Sequence, residues 1–522
     1  MTPAHLILRT LAGCILWTGL AAAPLSAARF DLSTATIADI NDAFDAGALD
    51  AEKLTRLYLA RIEAYEKSGP KLNSIITLNP AALETARALD VERREKGPRS
   101  PLHGIPIVAK DVFDTFDMPT TAGFKPMATS QPSRDAFVIR RLRDAGAIIL
   151  AKTNLSDWFG TYSLGGSTLG GQALNPYDLT RVPGYSSSGT GAALAAWFAA
   201  AGLGSDTGGS VVIPTADSAL AGMTATQGLV SRKGMISSSF SSERGGPMAR
   251  SVHDVAVLLD VMAGFDAADL TTAQSLGKMP AEPYASFLRV DGLQGARLGV
   301  FRDMFYSGPL HADGLKLIDA ALADLKKGGA LLVDPVSTGL DVPAAVADAA
   351  LASYERKFIQ NHYLGLLPQD APIRSLDEML AKAPDIVKRG TAQANAIESL
   401  DHHAEYLARR ENGLMLRDAL VDLMDNRRID ALVMPYKTRI APKLGEDRPF
   451  QSINRLSSYT GLPTILVTAG YTPEGLPIAL QFLGRPWSEP TLLRLAYAYE
   501  QATHHRRAPP TTPPLPGEVF EY

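Results

Sequence analysis

Cysteine is almost missing from the sequence: the single thiol among 522 residues is Cys14. It lies inside a segment that reads as a removable leader, so a processed chain would hold none. Disulfides, thiol nucleophiles and thiolate metal sites are thereby excluded. An excess of positive charge is lacking too: 51 Lys and Arg against 55 Asp and Glu give a net charge of −4. That balance leaves no electrostatic footprint for a nucleic-acid partner. No H-E-x-x-H occurs, and the pairs His402-His403 and His504-His505 stand in charged surroundings (DHHAEY, HHRR) that read as solvated helix faces. The glycines at 202, 204 and 208 miss the G-x-G-x-x-G register and follow a helical run instead of opening one, which removes a dinucleotide loop. A G-x-S-x-G elbow is absent around Ser186 and Ser210, so no histidine is nominated as a base.

What is present starts with the leader. Residues 1–28 carry one Arg at 9, an apolar stretch from Leu11 to Leu25 and small residues at Ser26, Ala27 and Ala28. This is a secretory signal pattern with cleavage near Ala27 or Ala28, which predicts a periplasmic or secreted protein without stable membrane association after processing. A retained membrane anchor is the alternative, because the stretch approaches spanning length. Leu11-Ala12-Gly13-Cys14 also resembles a lipoprotein cleavage box, but the apolar region lies mainly after Cys14 rather than before it.

With 46% hydrophobic and 20% charged residues, the remainder has ample material for a buried core. Leu54, Tyr58 and Ile62 in AEKLTRLYLARIEAYEK share one face of an amphipathic helix. HGIPIVAKDVFDT and AGAIILAKTN are short apolar runs ending in polar residues, the pattern of buried strands. Strands alternating with helices imply an α/β sheet. GTGAALAAWFAAA (189–201) reads as a tightly packed small-residue helix. From about 310 to 428 the sequence turns helical and more charged, suggesting a helical insertion that covers the substrate. RRAPPTTPPLP near the C-terminus reads as an extended surface strap.

Three features carry chemistry: Lys110 at the end of a buried run, the serines of PGYSSSGTG (183–191), and Ser210 after Gly208-Gly209. An amide carbonyl is a poor electrophile, so an attacking hydroxyl must lose its proton and the departing amine must gain one. A lysine serves as base near neutral pH only if burial or a positive dipole lowers its pKa from about 10.4. The apolar run Ile105–Ala109 is consistent with that. The structural alternative is that Lys110 is the buried ion-pair partner of Asp111 or Asp206. Ser187 and Ser188 also read as turn or cap residues, and Ser156-Asp157 as a helix N-terminus.

In these residues the chain resembles the amidase signature family. GIPIVAKD, a PGGSSGG-like loop, a GTDTGGSIRIP-like segment, GPMAR at 246–250 and TGLP at 460–463 occur in order, across most of the chain after the leader. The resemblance implies one domain over 29–522 with a mixed twisted sheet flanked by helices, and hydrolysis of a C–N acyl bond through an acyl-serine. It implies Lys110 as base, Ser186 as bridging serine preceded by a cis peptide bond, Ser210 as nucleophile, and Thr207, Gly208 and Gly209 as the oxyanion hole. Ser187 is the nearest competitor of Ser186; the spacing to Ser210 favours Ser186. No metal or cofactor is called for, and the partner is a small-molecule amide.

The sequence departs from the family pattern at three places: Tyr185 replaces a glycine, Val212 an arginine, and Thr224-Ala225 an Arg-Pro or Lys-Pro pair. Tyr185, Val212 and Thr224 are therefore candidate pocket residues that favour aryl or apolar amides, with packing into the core as the alternative for Val212. Carbamates and esters suit the same attack. A glutamine-dependent amidotransferase subunit shares the signature, and a non-catalytic periplasmic binding protein fits the size and leader.

Overall fold

The apolar runs that end in Lys110 and Lys152 form neighbouring parallel strands, Pro106–Lys110 and Ile148–Thr153, every residue of which is buried. Continuous rather than alternating hydrophobicity is what a strand covered on both faces requires. The computed structural model describes residues 28–159, 163–387, 389–446 and 453–522. These two strands belong to an eleven-stranded sheet. Its order from edge to edge is Leu331–Val336, Arg297–Phe301, Ala431–Pro435, Pro477–Leu483, Thr464–Tyr471, Ala221–Thr224, Arg244–Ala249, Ala201–Asp206, Pro106–Lys110, Ile148–Thr153 and Ile75–Leu78. Parallel pairs lie on either side of an antiparallel middle, and the edge strand Ile75–Leu78 pairs antiparallel with Ile148–Thr153, so the sheet is mixed, with helices on its faces, as expected.

The amphipathic segment forms the helix Ala51–Tyr65, capped by Asp50 and burying Leu54, Tyr58 and Ile62. The small-residue helix is shorter than expected. It runs from Ser188 to Ala195 with every residue buried. The chain then turns at Trp197, whose φ of 42° lies outside the helical region, and enters the strand Ala201–Asp206. Nearly bare alanine and glycine side chains let this helix lie close to its surroundings: a Cβ on Gly189 would fall 2.4 Å from the carbonyl oxygens of Asn154 and Ser74.

The stretch from 310 to 428 is not wholly helical. Helix Ala312–Lys327 ends at Gly328, and Leu331–Val336 then joins the sheet edge in parallel with Arg297–Phe301. These six residues follow Gly328-Gly329 and pair along the edge that Arg297–Phe301 leaves open. The proline-rich tail is the expected strap. Arg61 anchors it through a buried ion pair with Glu518 (2.8 Å) and by donating to the Thr512 and Pro513 carbonyls. Val519–Glu521 pairs antiparallel with Arg29–Asp31. The leader expected over residues 1–28 lies, up to residue 27, outside the described residues. Among the described residues no helix is long and apolar enough to cross a membrane.

Candidate active site

Lys110 is the last residue of its strand and is fully buried. Among the described residues its ammonium has no carboxylate partner. Nζ donates instead to Ser186 Oγ at 2.6 Å and to Ser205 Oγ at 2.9 Å. The ion pair with Asp111 or Asp206 that the sequence left open is not formed. Asp111 holds Lys152 at 2.9 Å, and Asp206 accepts from Gly209 N and Val211 N, both at 2.8 Å, and from Ser458 Oγ at 2.7 Å. Burial in this neutral setting lowers the Lys110 pKa to about 7, against the smaller upward pull of Glu243 and Asp206. A neutral amine keeps a lone pair beside its N–H groups. The contact with Ser186 is then able to carry a proton in either direction.

Ser186 lies in the loop before the helix Ser188–Ala195 and is almost wholly buried. The peptide bond before it is trans; the cis bond among the described residues is Asp334–Pro335. The expected cis bond is thereby corrected: a cis bond ahead of a non-proline residue costs about 3 kcal/mol, and Ser186 reaches Lys110 without it. Ser187 and Ser188 are structural, as read: Ser187 Oγ contacts the Ser205 backbone on both its N–H and its carbonyl, and Ser188 Oγ donates to the Gly165 carbonyl. Ser156 accepts from Gly165 N and donates to the Tyr185 carbonyl, which steadies the peptide just ahead of Ser186.

Ser210, 2% exposed, occupies the turn between the strand Ala201–Asp206 and the short helix Val212–Asp217. Asp206 builds this turn by gathering the amides on either side of Ser210. Gly209 has φ 109°, and a Cβ there would lie 2.5 Å from the Tyr436 hydroxyl, so glycine is required on both counts. The loop that carries Ser186 is pressed against the helix that follows Ser210: a Cβ on Gly184 would fall 2.5 Å from Pro214 Cα. The oxyanion expectation is narrowed here. The Gly209 N–H already serves Asp206, leaving Thr207 and Gly208 of the three. Thr207 is held from behind by its hydroxyl, which donates to the buried Glu243 carboxylate.

The three pocket candidates divide. Val212 lies in a buried cluster with Ile213, Ala216, Tyr436, Ile453, Leu466 and Ala479. Thr224 is fully buried in the sheet, and its hydroxyl is 3.0 Å from Ser457 Oγ. The same Ser457 accepts from Arg244, whose guanidinium also donates to the Ala225 and Leu462 carbonyls. Both side chains are packed in the interior. Tyr185 alone remains partly exposed, resting on the Val212 cluster. Sequence reading missed Ser205 and Glu243, which hold Lys110 and Thr207, and named Asp206 only as a possible ion-pair partner of Lys110, whereas it holds the turn that carries Ser210. Ser205 and Asp206 stand inside the GLGSDTGGS segment; Glu243 had no signal of its own.

An amidase family profile matches residues 53–493 of this chain. The chain belongs to the amidase family. The structure of native peptide amidase from Stenotrophomonas maltophilia is similar at a TM-score of 0.83 and 37% identity, over 91% of this chain and 98% of that one. A glutamyl-tRNA(Gln) amidotransferase subunit of Cupriavidus metallidurans is 36% identical over 91% of this chain and 99% of its own. A probable amidase of Arabidopsis thaliana is 33% identical over 92% of each. The family is common to these matches, and the peptide amidase structure shares the mixed-sheet fold in one domain.

Proposed function

We propose that this amidase-family chain hydrolyses amides through an acyl-serine formed on Ser210, with Ser186 relaying protons to and from Lys110. The observation that carries the reading is a fully buried lysine whose side-chain contacts are serine hydroxyls rather than a carboxylate. Ser210 Oγ bonds to the carbonyl carbon while its proton passes to Ser186 and that of Ser186 to Lys110. The Thr207 and Gly208 amides receive the charge that develops on the carbonyl oxygen. Cleavage of the C–N bond then returns a proton along the same path to the amine. Water attacks the acyl-serine by the same relay and releases the acid. Carbamates and esters would enter the same cycle. The support for aryl or apolar substrates narrows to Tyr185, because Val212 and Thr224 are in the core.

Labelling by a serine-directed fluorophosphonate tests the assignment. The native chain is expected to take up one label on Ser210, and Ser210→Ala to lose label and turnover while keeping its melting temperature. Label or acyl adduct retained on the Ser210→Ala chain overturns it, and absence of label on the native chain favours a binding protein. The 36% identity to an amidotransferase subunit favours a second reading with the same acyl-serine step. Ammonia release by this chain alone supports the hydrolase, and release that requires another protein supports the amidotransferase reading.

Export with removal of residues 1–28 is part of the proposal. Supporting it, the strand Arg29–Asp31 begins directly after the proposed cut and closes the fold by pairing with Val519–Glu521. N-terminal sequencing of the secreted or periplasmic protein should start near Ala28 or Arg29; an intact Met1 would remove this element.

A further inference from the structure

Glu355 lies on the helix Ala352–Gly365 and is fully buried, yet every hydrogen bond it accepts among the described residues comes from a neutral donor. Ser239 Oγ and Ser241 N (3.1 Å) donate to one of its oxygens, and Ser241 Oγ and Tyr406 Oη (3.1 Å) to the other. Tyr406 belongs to a second helix, Ala404–Asn426. A buried carboxylate is costly to desolvate, and one satisfied by directed donors fixes the groups that satisfy it.

The group it fixes is the serine-rich turn SSSFSSE, residues 237–243. Ser239 Oγ, besides donating to Glu355, accepts from Ser241 N at 3.2 Å and Ser242 N at 3.0 Å, so the same hydroxyl closes the turn and ties it to the helix. Gln360, farther along that helix, accepts from Trp158 Nε1 at 3.1 Å and donates to Ser238 Oγ at 3.4 Å. The turn leads straight into the strand Arg244–Ala249, which pairs antiparallel with Ala201–Asp206 and sets Arg244 opposite Asp206. One residue beyond that pair, Glu243 meets Thr207: it accepts from the Thr207 hydroxyl and, at 3.0 Å, from Ser238 N. Hydrogen bonds thus run from Glu355 through the turn and Glu243 to Thr207. An oxyanion donor stabilises charge to the extent that its place is fixed beforehand, and Thr207 is followed by two glycines that leave its peptide free to move. Its support comes from across the strand pair.

We infer that Glu355 is a positioning residue for acyl transfer: by holding the turn 237–243 and, through it, Glu243, it keeps the Thr207 amide where the oxyanion forms. This deepens the proposed function and rests on it. It also ties the helical segment between 310 and 428 to the chemistry of Ser210.

The probe is a biotinylated fluorophosphonate, whose phosphoryl oxygen takes the place of the carbonyl oxygen: Ser210 Oγ bonds to phosphorus, fluoride leaves, and the serine proton enters the relay. Labelling is followed against probe concentration. Glu355→Ala should lower the saturating rate roughly 10- to 100-fold and leave the half-saturating concentration within about twofold, because a misplaced donor is felt only as the oxyanion forms. Glu355→Gln should keep most of the native rate, since its carbonyl oxygen still accepts from Ser241 N while its amide donates to the Ser241 and Tyr406 hydroxyls, which are free to turn. Thr207→Val cuts the link to Glu243 and should slow labelling as well. Adding Glu355→Ala to it should then cost little more. Where Glu355→Ala does not fold, Ser239→Ala carries the same expectation with a loss of about fivefold. Native-rate labelling of the variant, a loss confined to the half-saturating concentration, no rescue by Glu355→Gln, or a loss that adds in full to that of Thr207→Val overturns the inference. A native chain that takes no label refutes instead the acyl-serine reading beneath it.

Discussion

Lys110 and Lys152 end the apolar runs of two adjacent parallel strands, and both are completely buried. Their surroundings differ in one respect. Lys152 pairs with Asp111 at 2.9 Å and also donates to Thr120 Oγ1 and the Pro119 carbonyl, whereas Lys110 meets serines. A buried cation beside a carboxylate is held in its charged form and becomes part of the framework. A buried amine beside hydroxyls is pushed toward neutrality and becomes a base. The strands set the difference: Lys152 is in register with Ala109, so it faces the opposite side of the sheet from Lys110, and Asp111, the sequence neighbour of Lys110, falls on the side of Lys152. The carboxylate adjacent in sequence is the one that alternation turns away.

This contrast breaks most clearly under paired substitution. Lys110→Ala should lower kcat by about 10²–10⁴-fold with little loss of stability, since it removes a base and no ion pair. Lys152→Ala should do the reverse. It strands Asp111 in the interior and costs about 3–5 kcal/mol by denaturant titration, while the folded fraction turns over at a near-native rate. Two variants that lose activity and stability in the same proportion would erase the distinction between the sites.

A pH profile sharpens the same comparison. Burial depresses Lys110 to about 7, so the neutral, proton-accepting form grows as pH rises. kcat/KM should climb through about pH 7 and level off above it; a rate that falls across that range assigns the ionisation to some other group. The smallest expected effect is that of Ser205→Ala. Ser205 Oγ accepts from Lys110 and so favours its charged form; its loss should shift the rise in kcat/KM to lower pH and cost roughly tenfold in kcat through a less firmly placed amine. An unmoved midpoint would make Ser205 a packing residue.

Local chain chemistry was enough to recover much of this. Apolar runs with polar ends gave buried strands, and the periodicity of AEKLTRLYLARIEAYEK gave its helix and its buried face. Lys110 and Ser186 were named from motif and spacing, and the fold brings them to 2.6 Å. Less was legible where the outcome depended on a competitor. The strand Leu331–Val336 was hidden in a helical stretch because an edge strand is decided by the free partner beside it, here Arg297–Phe301. Gly209 was named as an oxyanion donor, but its N–H was claimed by Asp206, three residues away, once the turn closed.

The sequence by itself determined the residue types and the local geometry that a lysine–serine relay needs, because those follow from strand periodicity, glycine torsions and side-chain chemistry within a few residues. Which buried lysine meets a carboxylate, and which partners pack around Val212 and Thr224, were decided only by tertiary structure. Each of these depends on burial and on partners drawn from other strands and helices: Asp111 for Lys152 and Ser457 for Thr224. Desolvation belongs to the assembled interior, and no window of neighbouring residues contains it.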